Sequence, residues 1–201
     1  MDLNNILPVV LAGGQSKRFG CDKSQVKLGK KILIDYILSE IIGDFKEVLI
    51  VANNPIDHLT SSKIIKIKDF KKDVGPLGGV LTAMRWIVDN NKNYQWISTF
   101  PTDTPFFTKQ ILKEFYEKID INENKLIFMK SNEKRHNIFG LWSINLMSQL
   151  KNDLDKGSRK VETWANNNDV QIIDMNFEKN NPFFNINTQE DLEVAKKILN
   201  D

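Results

Sequence analysis

An apolar run that leads into a glycine-rich, basic loop constrains this chain more than any other feature. The run covers residues 6–12, and the loop after it covers residues 13–23. The loop holds three glycines and three cationic side chains, namely Gly13, Gly14, Gly20, Lys17, Arg18 and Lys23. Glycines let backbone N–H groups approach an anion closely, and the cations neutralise its charge. The stretch therefore predicts a buried strand followed by a phosphate-binding loop for a nucleotide.

This loop differs from the two commonest nucleotide-binding loops. A Walker loop has four residues between its glycines and a lysine after the second, whereas five residues separate Gly14 from Gly20 and Cys21 follows. The dinucleotide fingerprint has one residue between its first two glycines, whereas Gly13 and Gly14 are adjacent. Spacing alone leaves a basic strand-to-helix turn without a ligand as an alternative.

Short apolar runs alternate with helical patterns along the rest of the chain. Strands are predicted at residues 6–12, 47–52, 63–67, 94–100, 125–129 and 170–174, and residues 138–142 are apolar again. Helices are predicted at residues 31–42, 77–88, 108–119, 158–167 and 188–199, with N-caps at Thr108, Ser158 and Thr188. Polar residues 130–136 predict a loop. The alternation predicts a single α/β domain over residues 1–201, with three layers and a mostly parallel sheet flanked by helices.

The composition excludes several classes of protein. Basic and acidic residues number 28 and 26, so the chain lacks the basic field of a duplex-DNA-binding protein. The single cysteine, Cys21, excludes an intrachain disulfide and a cysteine-based zinc site. The first apolar run is too short to cross a membrane, and no basic segment precedes it. We therefore expect a cytoplasmic protein without nucleic-acid or membrane partners, and the role of Cys21 stays open.

Asp103 is the second candidate for chemistry. It directly follows an apolar strand and lies between Pro101 and Pro105, which stiffen the backbone around it. A carboxylate at the carboxyl end of a strand suits Mg²⁺, which takes one or two protein carboxylates together with substrate phosphates. The alternative is an aspartate that caps the turn before the helix at Thr108.

Other polar positions give weaker signals. The glycine-proline segment 75–79 predicts a helix start against which a ligand can lie, and Asp69 and Asp73 precede it. Arg135 and His136 lie between two apolar runs, where they could meet an anionic second substrate or form a hairpin tip. A final pair, Asn185 and Asn187, occupies alternate residues of an extended segment, so both amides face the same way. They could bind a substrate, or Asn187 could help cap the last helix. No nucleophilic triad is evident.

The order of these motifs resembles that of a known enzyme family. Residues 11–23, with the pattern Leu-Ala-Gly-Gly-x-Ser-x-Arg-Phe-Gly-x-Asp-Lys, resemble the signature of nucleotidyltransferases that share the molybdenum cofactor guanylyltransferase fold. Residues 75–79 and 101–106 look like the second loop and the metal-binding turn of that family. Residues 135–142 and 184–192 resemble its later blocks and point to the guanylyltransferase branch.

The resemblance implies a Rossmann-like nucleotidyltransferase fold and assigns roles to particular residues. Leu11, Ala12 and Gly13 match positions that meet the guanine nucleotide, and Lys23 matches the phosphate-binding lysine. Asp69 matches a nucleotide-contacting aspartate, and Asp103 matches the Mg²⁺ ligand that also faces the nucleotide. Arg18 and Lys23 can offset charge that grows on the triphosphate. Arg135, His136, Asn185 and Asn187 are the second-substrate candidates.

Two positions depart from the family pattern. Asn53 lies in a segment that is shifted relative to the family's asparagine near the base, so whether Asn53 or Asp73 contacts ligand stays open. Asn137 stands where a proline is common after the histidine, which bears on the shape of the second-substrate pocket.

The reaction implied is transfer of GMP from GTP to the phosphate of molybdenum-bound molybdopterin, which yields the guanine dinucleotide cofactor and pyrophosphate. Cofactor-delivering and molybdoenzyme-maturation proteins are the implied partners. Two alternatives remain, namely a related nucleotidyltransferase that uses CTP or a sugar phosphate, and a non-catalytic guanine-nucleotide-binding protein. The oligomeric state, the receiving molybdoenzymes and the basis of nucleotide selectivity stay open.

Overall fold

A seven-stranded sheet forms the centre of the protein. The computed structural model describes residues 2–13, 26–70, 74–121, 124–177 and 181–200. Its strands are β1 (Ile6–Leu11), β2 (Lys27–Leu28), β3 (Lys31–Ile32), β4 (Val48–Val51), β5 (Ile64–Ile67), β6 (Trp96–Pro101), β7 (Leu126–Ser131), β8 (Lys134–Ser143) and β9 (Gln171–Asp174). The strand order of the large sheet is β5-β4-β1-β6-β8-β7-β9, and β2 pairs only with β3. In the large sheet β8 runs antiparallel to both neighbours, and the other pairs are parallel.

Helices cover both faces of this sheet. They are α1 (Leu33–Ile41), α2 (Pro76–Asp89), α3 (Lys109–Lys118), α4 (Met147–Asp155), α5 (Val161–Asn166) and α6 (Gln189–Asn200). Ile6 and Val10 of β1 are buried in one cluster with α1 and α3, while Leu7 and Val9 are buried in a second cluster with α2, α4 and α5. Alternate strand residues point to opposite faces, so β1 is apolar throughout. The predicted three-layer, mostly parallel α/β fold is confirmed.

Two of the three predicted helix caps are present. The Thr108 hydroxyl accepts a hydrogen bond from the Ile111 N–H and caps α3. At the start of α6, Thr188 Oγ1 accepts from the Asp191 N–H, and Asp191 Oδ2 accepts from the Thr188 N–H. The predicted serine cap is wrong, because α5 begins at Val161, beyond Ser158, and has no side-chain cap.

The predicted loop at residues 130–136 is instead a tight hairpin between β7 and β8. Asn132 and Glu133 form its turn with φ angles of 47° and 61°. The register then shifts, so that Met129 pairs with His136 while Phe128 pairs with Gly140. This bulge brings Gly140 against the Phe128 ring, where an added Cβ would lie 2.1 Å from Cδ1. Positive-φ turn residues at 132 and 133 are charged or polar, which made the segment look like an open loop in sequence.

None of the helices within the described residues is long and apolar enough to span a membrane.

Candidate active site at the carboxyl edge of the sheet

The ends of four parallel strands lie in one row. Register partners on adjacent strands define it, in the order Ile67 (β5), Val51 (β4), Leu11 (β1) and Pro101 (β6). Adjacent strands are about 4.8 Å apart, so the row is about 14 Å long. Two residues beyond its four members come Asp69, Asn53, Gly13 and Asp103. The register thus aligns these four residues at the sheet edge where ligands of open α/β sheets bind.

Gly13 and Asn53 contact each other directly. The side-chain amide of Asn53 donates a hydrogen bond to the Gly13 carbonyl at 3.1 Å. The main chain supports this contact, since the Ala12 N–H donates to the Val51 carbonyl at 2.8 Å. A Cβ at position 13 would lie 3.4 Å from Asn53 Nδ2, a van der Waals contact that places Asn53 directly beside this residue. Leu11, Ala12 and Gly13 are each half-buried, so this segment borders both the core and the open edge.

Asp69 lies at the same edge of the sheet, near both Gly13 and α2. Its Oδ1 accepts a hydrogen bond from Thr82 of α2 at 2.8 Å. Its Oδ2 lies 4.0 Å from where a Cβ of residue 13 would be, and 3.5 Å from the corresponding point at Gly78. Asp69 is therefore held between the first glycine loop and the first turn of α2.

The first turn of α2 lies at this edge because α2 is the next element after β5 and so begins near the end of that strand. Gly75 has a φ of +70°, a conformation that favours glycine, and Pro76 occupies the first helical position. A Cβ at Gly79 would lie 2.9 Å from the Leu11 side chain, so the glycine lets α2 pack closely on β1. The orphan N–H groups and the positive dipole end of α2 thus lie beside Asp69, at the same edge of the sheet as Gly13.

Asp103 is presented by a fixed turn after β6. Asp103 itself is half-buried and its Oδ1 is buried, while the flanking Thr102 and Thr104 are both buried. The Asp103 carbonyl accepts a hydrogen bond from the Ile186 N–H at 2.8 Å. This bond joins the turn to the segment that carries Asn185 and Asn187. The cap of α3 itself is provided by the Thr108 hydroxyl.

An aromatic cluster lies beneath the turn of Asp103. We use this name for four buried rings, those of Phe100, Phe107, Phe139 and Phe183. Phe107 and Phe139 are stacked with ring centres 4.6 Å apart, and Phe183 meets Phe139 edge-on at 5.2 Å. The four rings come from β6, the following turn, the β8 bulge and the segment before α6. The aromatic cluster therefore fixes these four pieces of chain relative to one another.

His136 packs against this aromatic cluster. Its ring is stacked on Phe183 with centres 3.9 Å apart and an angle of 12° between the rings. Nε2 of His136 lies 2.7 Å from Ser131 Oγ, a distance that fits a hydrogen bond. Burial, and to a smaller extent the positive charge of Lys134, lowers the pKa of His136 to about 4. His136 is therefore a neutral ring at physiological pH.

Arg135 makes several contacts with neighbouring protein groups. Its Nε donates to Asn137 Oδ1 at 2.7 Å, and its Nη1 donates to Asn166 Oδ1 at 2.7 Å. Its Nη2 donates to the Glu162 carbonyl at 3.1 Å. These bonds tie the β8 bulge to α5, and the side chain is only 15% exposed.

Asn185 and Asn187 are both exposed, while Ile186 between them is buried. This alternation agrees with the prediction that the two side chains share a face. The Asn187 N–H donates to Asp191 Oδ2, so its main chain takes part in the start of α6. Whether the two amides bind substrate stays a prediction.

Several predicted residues lie outside the described residues. They are Arg18, Lys23, Cys21 and Asp73. In the part of the chain that the structure describes, no group of three or more His, Cys, Asp or Glu side chains could hold a metal ion by itself.

Comparison with models of protein families identifies the family to which the chain belongs. Residues 8–170 match the model of the MobA-like NTP transferase domain. The chain belongs to this family. The family resemblance inferred from the motifs is thereby confirmed, and so is the assignment of the chain as a nucleotidyltransferase. The match spans the glycine loop, the start of α2, the turn of Asp103 and the β7–β8 hairpin.

Individual proteins similar to this chain agree with the family match. A molybdenum cofactor guanylyltransferase from Rhizobium rhizogenes is 30% identical, covering 98% of this chain and 94% of that protein. The structure of molybdopterin-guanine dinucleotide biosynthesis protein A from Archaeoglobus fulgidus superposes with a TM-score of 0.76 at 20% identity, covering 96% and 98% of the two chains. A 4-diphosphocytidyl-2C-methyl-D-erythritol synthase from Anaerococcus prevotii has a TM-score of 0.74 at 10% identity over all of both chains. These two structural likenesses concern the fold.

Sequence reasoning gave too little weight to three residues of this MobA-like domain. Asn53 looked shifted in sequence, yet the strand register sets it beside Gly13. Thr82 and Phe183 carried no signal, because a threonine inside a helix and a phenylalanine in a loop are both ordinary core residues. Their contacts with Asp69 and His136 depend on tertiary packing.

Proposed function

We propose that this chain transfers GMP from GTP to the phosphate of molybdenum-bound molybdopterin, giving the guanine dinucleotide cofactor and pyrophosphate. The observation that carries the proposal is the row of Gly13, Asn53, Asp69 and Asp103 at one sheet edge, two residues beyond register partners on four strands. The names of its guanylyltransferase relatives agree with this activity. They favour it over the two alternatives, which are a related nucleotidyltransferase that uses CTP or a sugar phosphate and a non-catalytic guanine-nucleotide-binding protein.

The chemistry asks mainly for position and charge. An oxygen of the acceptor phosphate attacks the α-phosphorus of GTP, the new O–P bond forms, and the bond to the pyrophosphate leaving group breaks. A phosphate is already anionic near neutral pH, so no strong general base is needed. What remains is alignment of two anions and stabilisation of the charge that develops between them.

The half of the edge formed by Gly13, Asn53 and Asp69 is the proposed guanine nucleotide site. Backbone groups of Leu11, Ala12 and Gly13 would meet the nucleotide, and the Asn53 amide fixes the Gly13 carbonyl from the other side. The start of α2 offers N–H groups and a positive dipole end to phosphate oxygens. We assign Lys23 and Arg18 to the triphosphate as part of the same proposal.

Asp103 is the proposed ligand of Mg²⁺. Its donor chemistry fits, since a rigidly held carboxylate is the hard oxygen ligand that Mg²⁺ takes together with substrate phosphates. The bond from Ile186 and the buried threonines on both sides fix the main chain of the turn, so the position from which the carboxylate extends is set before the ion binds. When bound, the ion would neutralise part of the phosphate charge.

The half beyond Asp103 is the proposed site for the second substrate. Asn185 and Asn187 offer exposed amides next to the Asp103 turn. His136 would contribute a neutral, polar ring, because its pKa is lowered to about 4. Arg135 would shape this side through its contacts with Asn137, Asn166 and α5, in addition to its positive charge.

The remaining expectations are part of this proposal. Partner proteins that load or receive the cofactor follow from the product, which must be handed to an enzyme that uses it. A cytoplasmic location and a single functional domain over residues 1–201 stay predictions.

A pyrophosphate-release assay with a panel of nucleotides tests the proposal. The purified chain is incubated with Mg²⁺ and GTP, ATP, CTP or UTP, with and without molybdenum-loaded molybdopterin. We expect release that requires both GTP and the loaded pterin. Equal release with all four nucleotides, or release with CTP alone, would contradict the guanylyltransferase assignment.

A further inference from the structure

Thr82 lies inside α2, one helical turn after Gly78. Its side chain is buried, with 6% of the residue exposed. The hydroxyl oxygen lies 2.8 Å from Asp69 Oδ1, 2.9 Å from the Gly78 carbonyl and 3.3 Å from the Phe70 nitrogen. A threonine within a helix commonly contacts the carbonyl four residues earlier, so the contact with Gly78 is expected. The contacts with Asp69 and Phe70 are long-range and join the end of β5 to α2.

The hydroxyl has one proton to donate and accepts a second hydrogen bond from the Phe70 N–H. The Asp69 carboxylate is the stronger of the two acceptors, because hydrogen bonds to a charged oxygen are shorter and stronger than those to a carbonyl. Thr82 therefore donates to Asp69 and at the same time holds the main chain of the next residue. The buried hydroxyl therefore constrains both the position and the rotation of the Asp69 side chain.

This arrangement gives the two oxygens of Asp69 different surroundings. Oδ1 points into the protein, toward Thr82. Oδ2 lies near Gly78 and Gly13, at 3.5 Å and 4.0 Å from the points where a Cβ of these two residues would be. A partial rotation of the carboxylate would move both oxygens away from these positions, and the bond from Thr82 opposes that rotation.

We propose that Thr82 is a positioning residue, which holds Asp69 so that Oδ2 faces the bound guanine nucleotide. The inference rests on the proposed function, in which Asp69 contacts that nucleotide. Without the hydroxyl, Asp69 would lose one of the contacts that hold it, and affinity would fall by the added cost of ordering the carboxylate when the nucleotide binds.

Removal of the hydroxyl at constant shape is the direct test. Thr82→Val keeps the branched side chain, and Thr82→Ser keeps the hydroxyl. Calorimetric titration with Mg·GTP should show about tenfold weaker binding for Thr82→Val and binding within about twofold of wild type for Thr82→Ser. In turnover assays the KM for GTP should rise while kcat stays within about twofold, because Thr82 does not touch the reacting atoms.

Thr99→Val is the matched control. Thr99 is a fully buried threonine on β6 whose hydroxyl accepts from Trp142 Nε1 and donates to the Ile138 carbonyl. The Thr99→Val variant therefore also loses one donated and one accepted hydrogen bond, as Thr82→Val does. Its melting temperature should fall at least as far as that of Thr82→Val, yet its GTP affinity should not change. Should Thr82→Val fail to fold, Thr82→Cys replaces it, with a smaller loss of affinity expected because a thiol is a weak donor.

The Asp69→Ala variant distinguishes a failure of the role proposed for Thr82 from a failure of the proposed function. In a double-mutant cycle, Thr82→Val should cost no further affinity once Asp69 is alanine. Unchanged GTP affinity in Thr82→Val or Thr82→Cys, or a loss that persists in the Asp69→Ala background, would overturn the role of Thr82. An Asp69→Ala variant that binds GTP normally would overturn it too, while leaving GMP transfer intact. A wild-type chain that binds no GTP would overturn the proposed function, and the role of Thr82 with it.

Discussion

The two halves of the sheet edge are built in different ways. On the side of Gly13, Asn53 and Asp69, the loops that follow β1, β4 and β5 carry polar groups that bond to one another and to α2. Beyond Asp103, around His136, the loops pack instead on buried aromatic rings. A hydrogen-bonded rim suits one ligand with a fixed pattern of donors and acceptors. A rim whose loops are held by ring packing depends on the shape of that packing, so a substitution there should act by displacing the residues that contact the ligand.

Asp103 lies where the two halves meet, and its substitution should have the largest effect. Asp103→Asn keeps the size of the side chain and removes the charge that Mg²⁺ requires, so turnover should fall by about a hundredfold or more. The melting temperature without ligand should barely change. Asp35→Asn, which removes one charge near the start of α1, is the control and should keep its turnover. A fully active Asp103→Asn enzyme would remove the metal assignment and break the link between the halves.

Asn53 tests the hydrogen-bonded half. Asn53→Ala removes the donor to the Gly13 carbonyl, so Mg·GTP should bind about tenfold more weakly while the KM for the loaded pterin stays the same. Asn90→Ala is the matched control, because Asn90 also donates its amide to a carbonyl but at the far end of α2. Equal losses of affinity in both variants would mean that Asn53 acts on stability alone.

Phe183 tests the aromatic half. Phe183→Leu removes the ring stacked on His136, so the fold should lose about 1–2 kcal/mol of stability and the KM for the loaded pterin should rise several-fold. GTP affinity, measured by titration, should remain at the wild-type value. If GTP affinity fell as far as the pterin KM rose, the two halves would not be separate sites.

His136 gives the smallest effect, a dependence of stability on pH. Its pKa is about 4 in the folded protein, below the value near 6.5 that applies to the unfolded chain. The unfolded chain therefore binds more protons in this window, and the stabilisation, complete above pH 6.5, should be lost as the pH falls toward 4. Chemical denaturation of wild type and His136→Gln at pH 7 and pH 5 measures it. The wild type should lose more stability between these values, and parallel losses would show that His136 is not buried as described.

The difference between the halves also explains what the sequence could predict. The glycines at 13, 75, 78 and 79 and the prolines around Asp103 are local signals, and they indicated loops that lie at the carboxyl ends of the strands. The antiparallel strand β8 and its bulge were missed, because the turn at Asn132 and Glu133 has no glycine and the register shift is set by the packing of Phe128 on Gly140. Asn53 was left open and Thr82 was missed for a related reason, since their partners lie 40 and 13 residues away in sequence and depend on strand register.

Hydrogen exchange with and without ligands tests the division of this edge most directly. After addition of Mg·GTP, amides of residues that follow β1, β4 and β5, including Gly13, Asn53 and Phe70, should exchange more slowly. Amides of the β7–β8 hairpin and of residues 183–187 should become protected only when loaded molybdopterin is also present. Protection by GTP that is confined to the hairpin, or absent beside Gly13, Asn53 and Asp69, would contradict the assignment of the aligned strand ends to the guanine nucleotide.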